Sequence, residues 1–404
     1  MRLVPDAARG VRVGHRLGRV IVPFAVLIAI GAAAAAAYAT AATLVAKTVV
    51  TPSRRRKQDV YIRSVASDLT AVTLAGTADT LTVAGRYGLW FSDDRGYARL
   101  GEILGFDPDG AVIRAVESVE WGDLASARRG RLTGWYYTAA DELGLPVESV
   151  DIPVDGGTAP AWLFRASEDT GHWAIHVHGR GARRQETLRA IPVFREKGYT
   201  SLAISYRNDG DAPSSGDGRY ALGATEWNDV DAAIAFALEH GAHDIVLFGW
   251  SMGGAIVLQS AIRSPRADSV RGIVLDSPVV DWVETLEYQA NGMKLPKPVT
   301  RGALVLLDSG WATGLVGQDS PIGLGGLDFT VRAHELSTPV LLMHSDDDGY
   351  VPAGGSHHLA DLRPDIVTFV PFTEAKHTKL WNYDRDAWTD AISSWLGALD
   401  EQQE

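Results

Sequence analysis

The 404-residue chain has no cysteine. Disulfide frameworks, thiolate metal sites and cysteine nucleophiles are excluded with it. Basic charge is scarce in most of the chain, and the formal net charge is −12. The shortage is uneven. Residues 1–63 hold eleven Lys/Arg (Arg2, Arg9, Arg12, Arg16, Arg19, Lys47, Arg54, Arg55, Arg56, Lys57, Arg63) against Asp6 and Asp59, so the head carries +9 and residues 64–404 carry −21. A body this acidic argues against nucleic acid as a partner. Charge of either sign is absent from Val20 to Ala46, a run of 27 residues.

About 20 apolar residues suffice for a helix to cross a bilayer. Arginines precede the run, and Lys47 with Arg54, Arg55, Arg56 and Lys57 follow it. Flanking charge at both ends favours a membrane-spanning helix over the buried helix of a soluble core. A cleaved signal peptide is the rival, because Ala37-Tyr38-Ala39 has the small-x-small form of a cleavage site. The run is long for a signal, and we read residues 1–58 as a basic head with an uncleaved, single-pass anchor. Basic residues flank both ends in similar number, so orientation is weakly specified. An amino terminus kept in the cytoplasm would put the rest of the chain outside, and the expectation leans that way.

Residues 59–146 read as a β-rich extension. Val60–Ile62, Ala71–Leu74, Thr80–Val83, Leu89–Phe91 and Ala111–Val116 are the expected strands, punctuated by Gly, Asp and Pro as at Asp107-Pro108-Asp109-Gly110. No chemical constellation is apparent in this stretch. From about residue 147 to 400 strands alternate with helices. Strands are expected at 150–154 and 161–164 (a hairpin turned at Asp155-Gly156-Gly157), 173–178, 201–206, 244–248, 272–276, 340–344 and 366–370. Helices are expected at 187–197, 226–240, 254–261 and 386–396. This is an α/β pattern, implying a mostly parallel sheet with helices on both faces. The stretch from about 279 to 338 exceeds an ordinary crossover. It includes a helical run at Val283–Tyr288 and a Gly-rich segment at Ile322–Leu327, and is a candidate lid.

The chemistry centres on Gly249-Trp250-Ser251-Met252-Gly253, set between an apolar strand and a helix. A turn this tight needs small residues two before and two after the serine, and it holds the serine backbone in a strained geometry with the hydroxyl lifted above the sheet edge. A bland alternative is a Gly-rich turn whose serine caps the helix. A serine hydroxyl needs a base to take its proton, and the base needs a carboxylate to fix its tautomer. Three aspartates follow the strand ending at His344. Asp348 is chosen as the acid because the tight turn and Val351-Pro352 after it close the loop, whereas Asp346 and Asp347 read as turn caps or solvent-facing groups. Asp276, after the preceding strand, is a lesser candidate. His377, directly after the last strand, is the base. His357-His358 reads as a solvent-facing helical pair, His240 and His243 flank a helix end, and His334 follows no strand.

Two main-chain N–H groups should meet a developing oxyanion. Met252 supplies one and the loop His178-Gly179-Arg180-Gly181 the other, with Arg180 as donor through its main chain. Arg183 and Arg184 either steer an anionic group or, more blandly, are solvated. Asn208-Asp209-Gly210-Asp211 with Asp217-Gly218 faintly resembles a calcium loop, but no terminal Glu completes it, so a polar turn is the reading.

Together these residues resemble the α/β-hydrolase superfamily, across roughly residues 147–399. The combination His178-Gly179-Arg180-Gly181, Ser205-Tyr206-Arg207, Gly249–Gly254, Asp348-x-x-Val351-Pro352 and His377 is similar to the bacterial serine-aminopeptidase and prolyl-oligopeptidase-like branch. The resemblance implies an eight-stranded α/β-hydrolase fold and a serine esterase or peptidase. Ser251 would be the nucleophile, Asp348 the acid and His377 the base, with Met252 and Arg180 at the oxyanion hole. Neither metal nor organic cofactor is expected, and the partners are a small-molecule acyl or peptidyl substrate and a membrane. Three departures from the family pattern leave the substrate open. Ser345 stands at the usual Gly of the acid loop. Asn208-Asp209 follows Tyr206-Arg207. The amino-terminal extension lies outside the common core. Acyl transfer on the same triad and a non-catalytic binding protein are the alternatives.

Overall fold

The computed structural model describes residues 18–52 and 56–401, with side chains of the first helix described from residue 29 onward. Arg2, Arg9, Arg12, Arg16, Arg54 and Arg55, on which the flanking-charge reading rests, lie outside the described residues.

The uncharged run forms one long helix, α1 (Gly18–Val50). Residues 29–40 are exposed, including Ile30 at 61%. The carboxyl-terminal part is docked on the protein. Ala42, Ala46 and Val50 are buried, and their spacing of four places them on one helix face. Tyr38 Oη donates to the Pro298 carbonyl (3.2 Å). A Cβ at Gly302 would stand 2.4 Å from that hydroxyl and 3.1 Å from Ala42 Cβ, so small residues set how closely the two helices approach.

A closed antiparallel barrel follows: β1 (Val60–Val65), β2 (Ala71–Gly76), β3 (Tyr87–Phe91), β4 (Gly96–Phe106), β5 (Val112–Trp121) and β6 (Arg129–Thr133), in the order β1-β2-β5-β4-β3-β6. Closure leaves the small sheet without a free edge. Val60, Ile62, Leu74, Leu89, Phe91 and Leu100 fill the interior. One expected strand is corrected. Thr80–Val83 is a succession of turns. Arg114 of β5 is fully buried, and its guanidinium donates to the carbonyls of Thr80 (3.2 Å), Gly85 (3.1 Å) and Gly101 (3.0 Å), and to those of Leu81 and Val83. Those carbonyls are turned toward the arginine, so they cannot serve a ladder. Burial lowers the Arg114 pKa.

The second sheet has eight strands: β7 (Glu148–Val154), β8 (Gly157–Phe164), β9 (His172–Val177), β10 (Thr200–Ile204), β11 (Asp244–Trp250), β12 (Val270–Asp276), β13 (Val340–Ser345) and β14 (Val367–Phe372). Their order is β14-β13-β12-β11-β9-β10-β8-β7. The six strands from β14 to β10 in that order pair in parallel, and the β7–β8 hairpin is antiparallel. The helices are α2 (Ile191–Glu196), α3 (Trp227–Glu239), α4 (Met252–Arg263), α5 (Trp282–Gly292), α6 (Lys297–Asp308), α7 (Thr313–Val316), α8 (Gly354–Leu362), α9 (Leu380–Tyr383) and α10 (Arg385–Glu401). One large apolar cluster joins α3, α4 and the α5–α7 insertion to one face, and a second, holding Phe248, Trp250 and Trp388, covers the other. The helix expected from 187 instead begins at Ile191, after a 3₁₀ stretch. Pro192 has no N–H to extend an α ladder backward and favours the first turn. The α5–α7 insertion lies between β12 and β13, and α1 packs along α6 and α7.

The barrel is fixed to the second sheet through α9. Asn382 accepts from Arg86 N at its carbonyl (2.9 Å), donates through Nδ2 to the Arg86 carbonyl (2.7 Å) and accepts from Arg189 Nη1 (2.7 Å). Stripping Arg114 of its donors should unfold the barrel first. Arg114→Met leaves several buried carbonyls unpaired, at about 1–3 kcal/mol for each one that cannot find water. Urea denaturation followed by tryptophan fluorescence is expected to give an early transition absent from the parent.

Candidate active site

The loop between β11 and α4 carries Ser251 at φ 52° and ψ −117°. A non-glycine residue held there costs on the order of 1–3 kcal/mol, and the neighbours that hold it must come very close. A Cβ at Gly249 would lie 2.4 Å from the Gly253 carbonyl oxygen, and one at Gly253 would lie 2.1 Å from the Val177 carbonyl oxygen. Both glycines are therefore steric requirements. Ser251 N donates to the Asp276 carbonyl (3.1 Å), which ties the turn to the end of β12.

Three side chains distant in sequence meet above this turn. Ser251 Oγ is 2.9 Å from His377 Nε2, and His377 Nδ1 is 2.7 Å from Asp348 Oδ2. Asp348 is buried. Its Oδ1 accepts from Tyr350 N (2.8 Å) and Val351 N (2.9 Å). Burial pushes the carboxyl pKa upward, but the facing His377 and hydrogen bonds from His344 and His377 outweigh it and hold the group below the usual carboxylate range. His344 Nε2, 3.2 Å from Oδ2, is a partner the sequence reading passed over. Its only sequence signal is its place at the end of the strand that delivers the acid.

The other acids sit elsewhere. Asp276 is fully buried and accepts from Trp388 Nε1 (3.0 Å) and Ser277 Oγ (2.9 Å), and burial raises its pKa. It braces the site from below, and Ser277 Oγ accepts from Thr378 N (3.1 Å) beside His377. Asp346 pairs with His357 (2.8 Å) and Asp347 with Lys376, both at the surface. His358 is exposed, and His240 Nδ1 lies 2.7 Å from the Phe236 carbonyl.

Among the described residues neither the Met252 nor the Arg180 main-chain N–H has a hydrogen-bond partner. The residues around Arg180 explain its availability. Gly179 N donates to Glu186 Oε2 (2.7 Å) and Gly181 N to Asp209 Oδ2 (3.0 Å). Two buried carboxylates hold the flanking amides and leave the middle one unengaged. Tyr206 Oη also donates to the Gly179 carbonyl (3.0 Å). The sequence reading missed Glu186, and it placed Asp209 only in a polar turn. Among the described residues no cluster of metal-ligating side chains occurs. The Arg180 side chain reaches away, donating to the Thr48 carbonyl (2.9 Å) near the end of α1. Arg184 is half-buried, over the Trp162 ring and bonded to Ser205 Oγ (2.9 Å), whereas Arg183 is exposed.

Ser251 and His377 open into a cleft of about 540 Å³ walled by the Gly179–Gly181 loop, Tyr350 and, from the barrel side, Thr133 and Trp135. A methyl group at Gly253 should be intolerable. Gly253→Ala is expected to lower stability by more than the about 1–3 kcal/mol typical of overpacking. Gly310→Ala, where no atom lies within 4 Å of the new Cβ, should stay within about 0.5 kcal/mol, both read as thermal midpoints.

Residues 175–306 match a family described as alpha/beta hydrolase fold, and residues 61–133, the span of the barrel, match a domain of unknown function (DUF8805). The chain is 24% identical over 199 residues to human Protein ABHD12B, covering 47% of this chain and 49% of that protein. It is 22% identical over 245 residues to the uncharacterized protein YqkD of Bacillus subtilis, covering 59% and 75%. The match thus spans about half the length of the human relative. Among solved structures, the Pyrococcus furiosus esterase Pf2001 is similar at a TM-score of 0.51 and 15% identity, covering 65% of this chain and 94% of that one. These likenesses, with the strand order and the placement of the serine turn between β11 and α4, show that this chain has the α/β-hydrolase fold.

Proposed function

We propose that the protein is a membrane-anchored serine hydrolase that cleaves an ester or amide through an acyl-enzyme, with ester cleavage the leading reading. The observation that carries it is the unbroken contact Ser251–His377–Asp348, 2.9 and 2.7 Å. Ser251 Oγ attacks the substrate carbonyl while His377 Nε2 takes its proton. The oxyanion that forms is met by the N–H groups of Met252 and Arg180. His377 then returns the proton to the departing alcohol or amine, and water repeats the sequence on the acyl-enzyme. Asp348 keeps Nδ1 protonated, so Nε2 is free to accept. The esterase fold of the solved neighbour supports hydrolase activity at this coarser level. An amine or alcohol arriving in place of water would make the same site a peptidase-like or acyl-transferring one.

For the anchor, the support is the exposed, uncharged stretch of α1 ahead of its docked part. The docked face begins at Tyr38; cleavage after Ala39 would remove the Tyr38 contact and leave Ala42, Ala46 and Val50 in place. The α5–α7 insertion borders the acid loop, with Gln289 Nε2 donating to the Tyr350 carbonyl (3.1 Å). We propose it as the lid, and residues 59–146 as a separate module. The side of the membrane is proposed as extracytoplasmic.

A fluorophosphonate probe is expected to label the parent and leave Ser251→Ala unlabelled; an unlabelled, folded parent would defeat the proposal. Asp348→Asn should lower kcat by about 10⁴-fold through loss of the productive tautomer. An acid limb in the rate is expected, since only a neutral base can accept the serine proton. Asp348, held ionised below the ordinary carboxylate range, should not set that limb. On fractionation the chain should sediment with membranes and resist carbonate, and removal of residues 2–37 should release it with labelling retained.

A further inference from the structure

A second cavity, about 720 Å³, lies between the barrel and the oxyanion loop. It shares Arg56, Arg131, Trp135 and Gly181 with the cleft above Ser251, so the two spaces adjoin. Its barrel wall is a built polar network. Arg131 makes a two-point bond to Asp94 (3.0 and 3.1 Å), and Gln58 Nε2 donates to the same carboxylate (3.2 Å). The Arg131 guanidinium lies 5.2 Å from the Trp90 ring centre.

That network leaves specific atoms over. Gln58 Oε1 and Trp90 Nε1 are buried and have no partner among the described residues, and so is Gln185 Oε1 on the opposite, oxyanion-loop side. One donor and two acceptors therefore belong to residues that line one space, each buried group costing stability unless something meets it. A phosphate or carboxylate fits poorly. It could take the Trp90 N–H but would set its lone pairs against both Gln oxygens; of the lining charges, Arg131 is paired with Asp94, Arg56 donates to the Gly181 carbonyl, and Asp93 opposes Arg183 in sign. A hydroxyl both gives and takes a hydrogen bond, and several hydroxyls on one small framework would answer all three atoms. The volume falls within the range of small-molecule sites.

We propose that this cavity binds the polyhydroxylated portion, a sugar or similar polyol, of an ester whose acyl carbonyl lies over Ser251. The proposal rests on the serine-hydrolase reading and names its substrate class. The barrel then acts as the specificity wall of the catalytic site.

The test compares kcat/KM for 6-O-octanoylglucose and ethyl octanoate, which share an acyl chain. The parent is expected to prefer the glucose ester by at least about tenfold, the scale of one or two buried hydrogen bonds. Gln58→Leu, Gln185→Leu and Trp90→Phe, each checked for an unchanged thermal midpoint, should each erode that preference several-fold while leaving ethyl octanoate turnover intact. Equal rates on the two esters, or a preference that survives all three changes, would overturn the proposal. So would a stronger preference for an octanoylglycerol phosphate lost in the same variants, which would assign the cavity to an anion. If neither ester is cleaved, the catalytic reading has failed separately. Calorimetric titration of Ser251→Ala with 6-O-octanoylglucose then decides the cavity alone: binding lost in Gln58→Leu upholds it, and no binding overturns it.

Discussion

The approach of α4's first turn to the carboxyl end of β9 is the constraint on which the rest depends. Gly253 comes so close to the Val177 carbonyl that any side chain would collide with it. This contact places Met252, the residue after Ser251, next to the loop that follows β9. Two amides from separate elements can then face one point, and the serine backbone is held in a conformation it would not choose alone. The cost of that strain is met by the packing of the largest buried side chains nearby. Phe248 and Trp250 stack at 3.7 Å and Phe248 and Trp388 at 5.8 Å on the face of the sheet beneath the turn.

Around this turn the acids divide by environment. Asp348 is ionised because two imidazoles and two amides face it. Asp276, equally buried and only one strand away, meets an indole N–H and a hydroxyl, and burial raises its pKa. The first can hold a base in one tautomer, and the second can only brace. Glu186 and Asp209 do a quieter task. By engaging the amides on both sides of Arg180 they fix the direction of the one left over, and neither need touch a substrate.

Much of this could be read along the chain. The alternation of apolar strands and amphipathic helices led directly to the parallel sheet, because each such strand is buried on both faces and shows it as a continuous apolar run. Ser251, Asp348 and His377 could be named because each follows a strand, and strand ends converge at one edge of a parallel sheet. What stayed illegible depends on contacts across the chain. Thr80–Val83 has the composition of a strand, but Arg114, more than thirty positions later, claims its carbonyls. Closure of the barrel depends on β1 meeting β6, which no local pattern announces. Glu186 drew no notice, since nothing local reveals that its carboxylate turns back to Gly179.

The docking of α1 has a bearing on how the chain is assembled. Tyr38 and the carbonyl it meets at Pro298 are 260 positions apart, and Arg180 meets Thr48 across 132. At translation speeds of roughly 5–20 residues per second, the helix emerges tens of seconds before its last docking surface exists. For that interval Ala42, Ala46 and Val50 are bare. The order of synthesis thus gives a chaperone or a translocon first access to this apolar face, and the finished chain must displace whatever holds it.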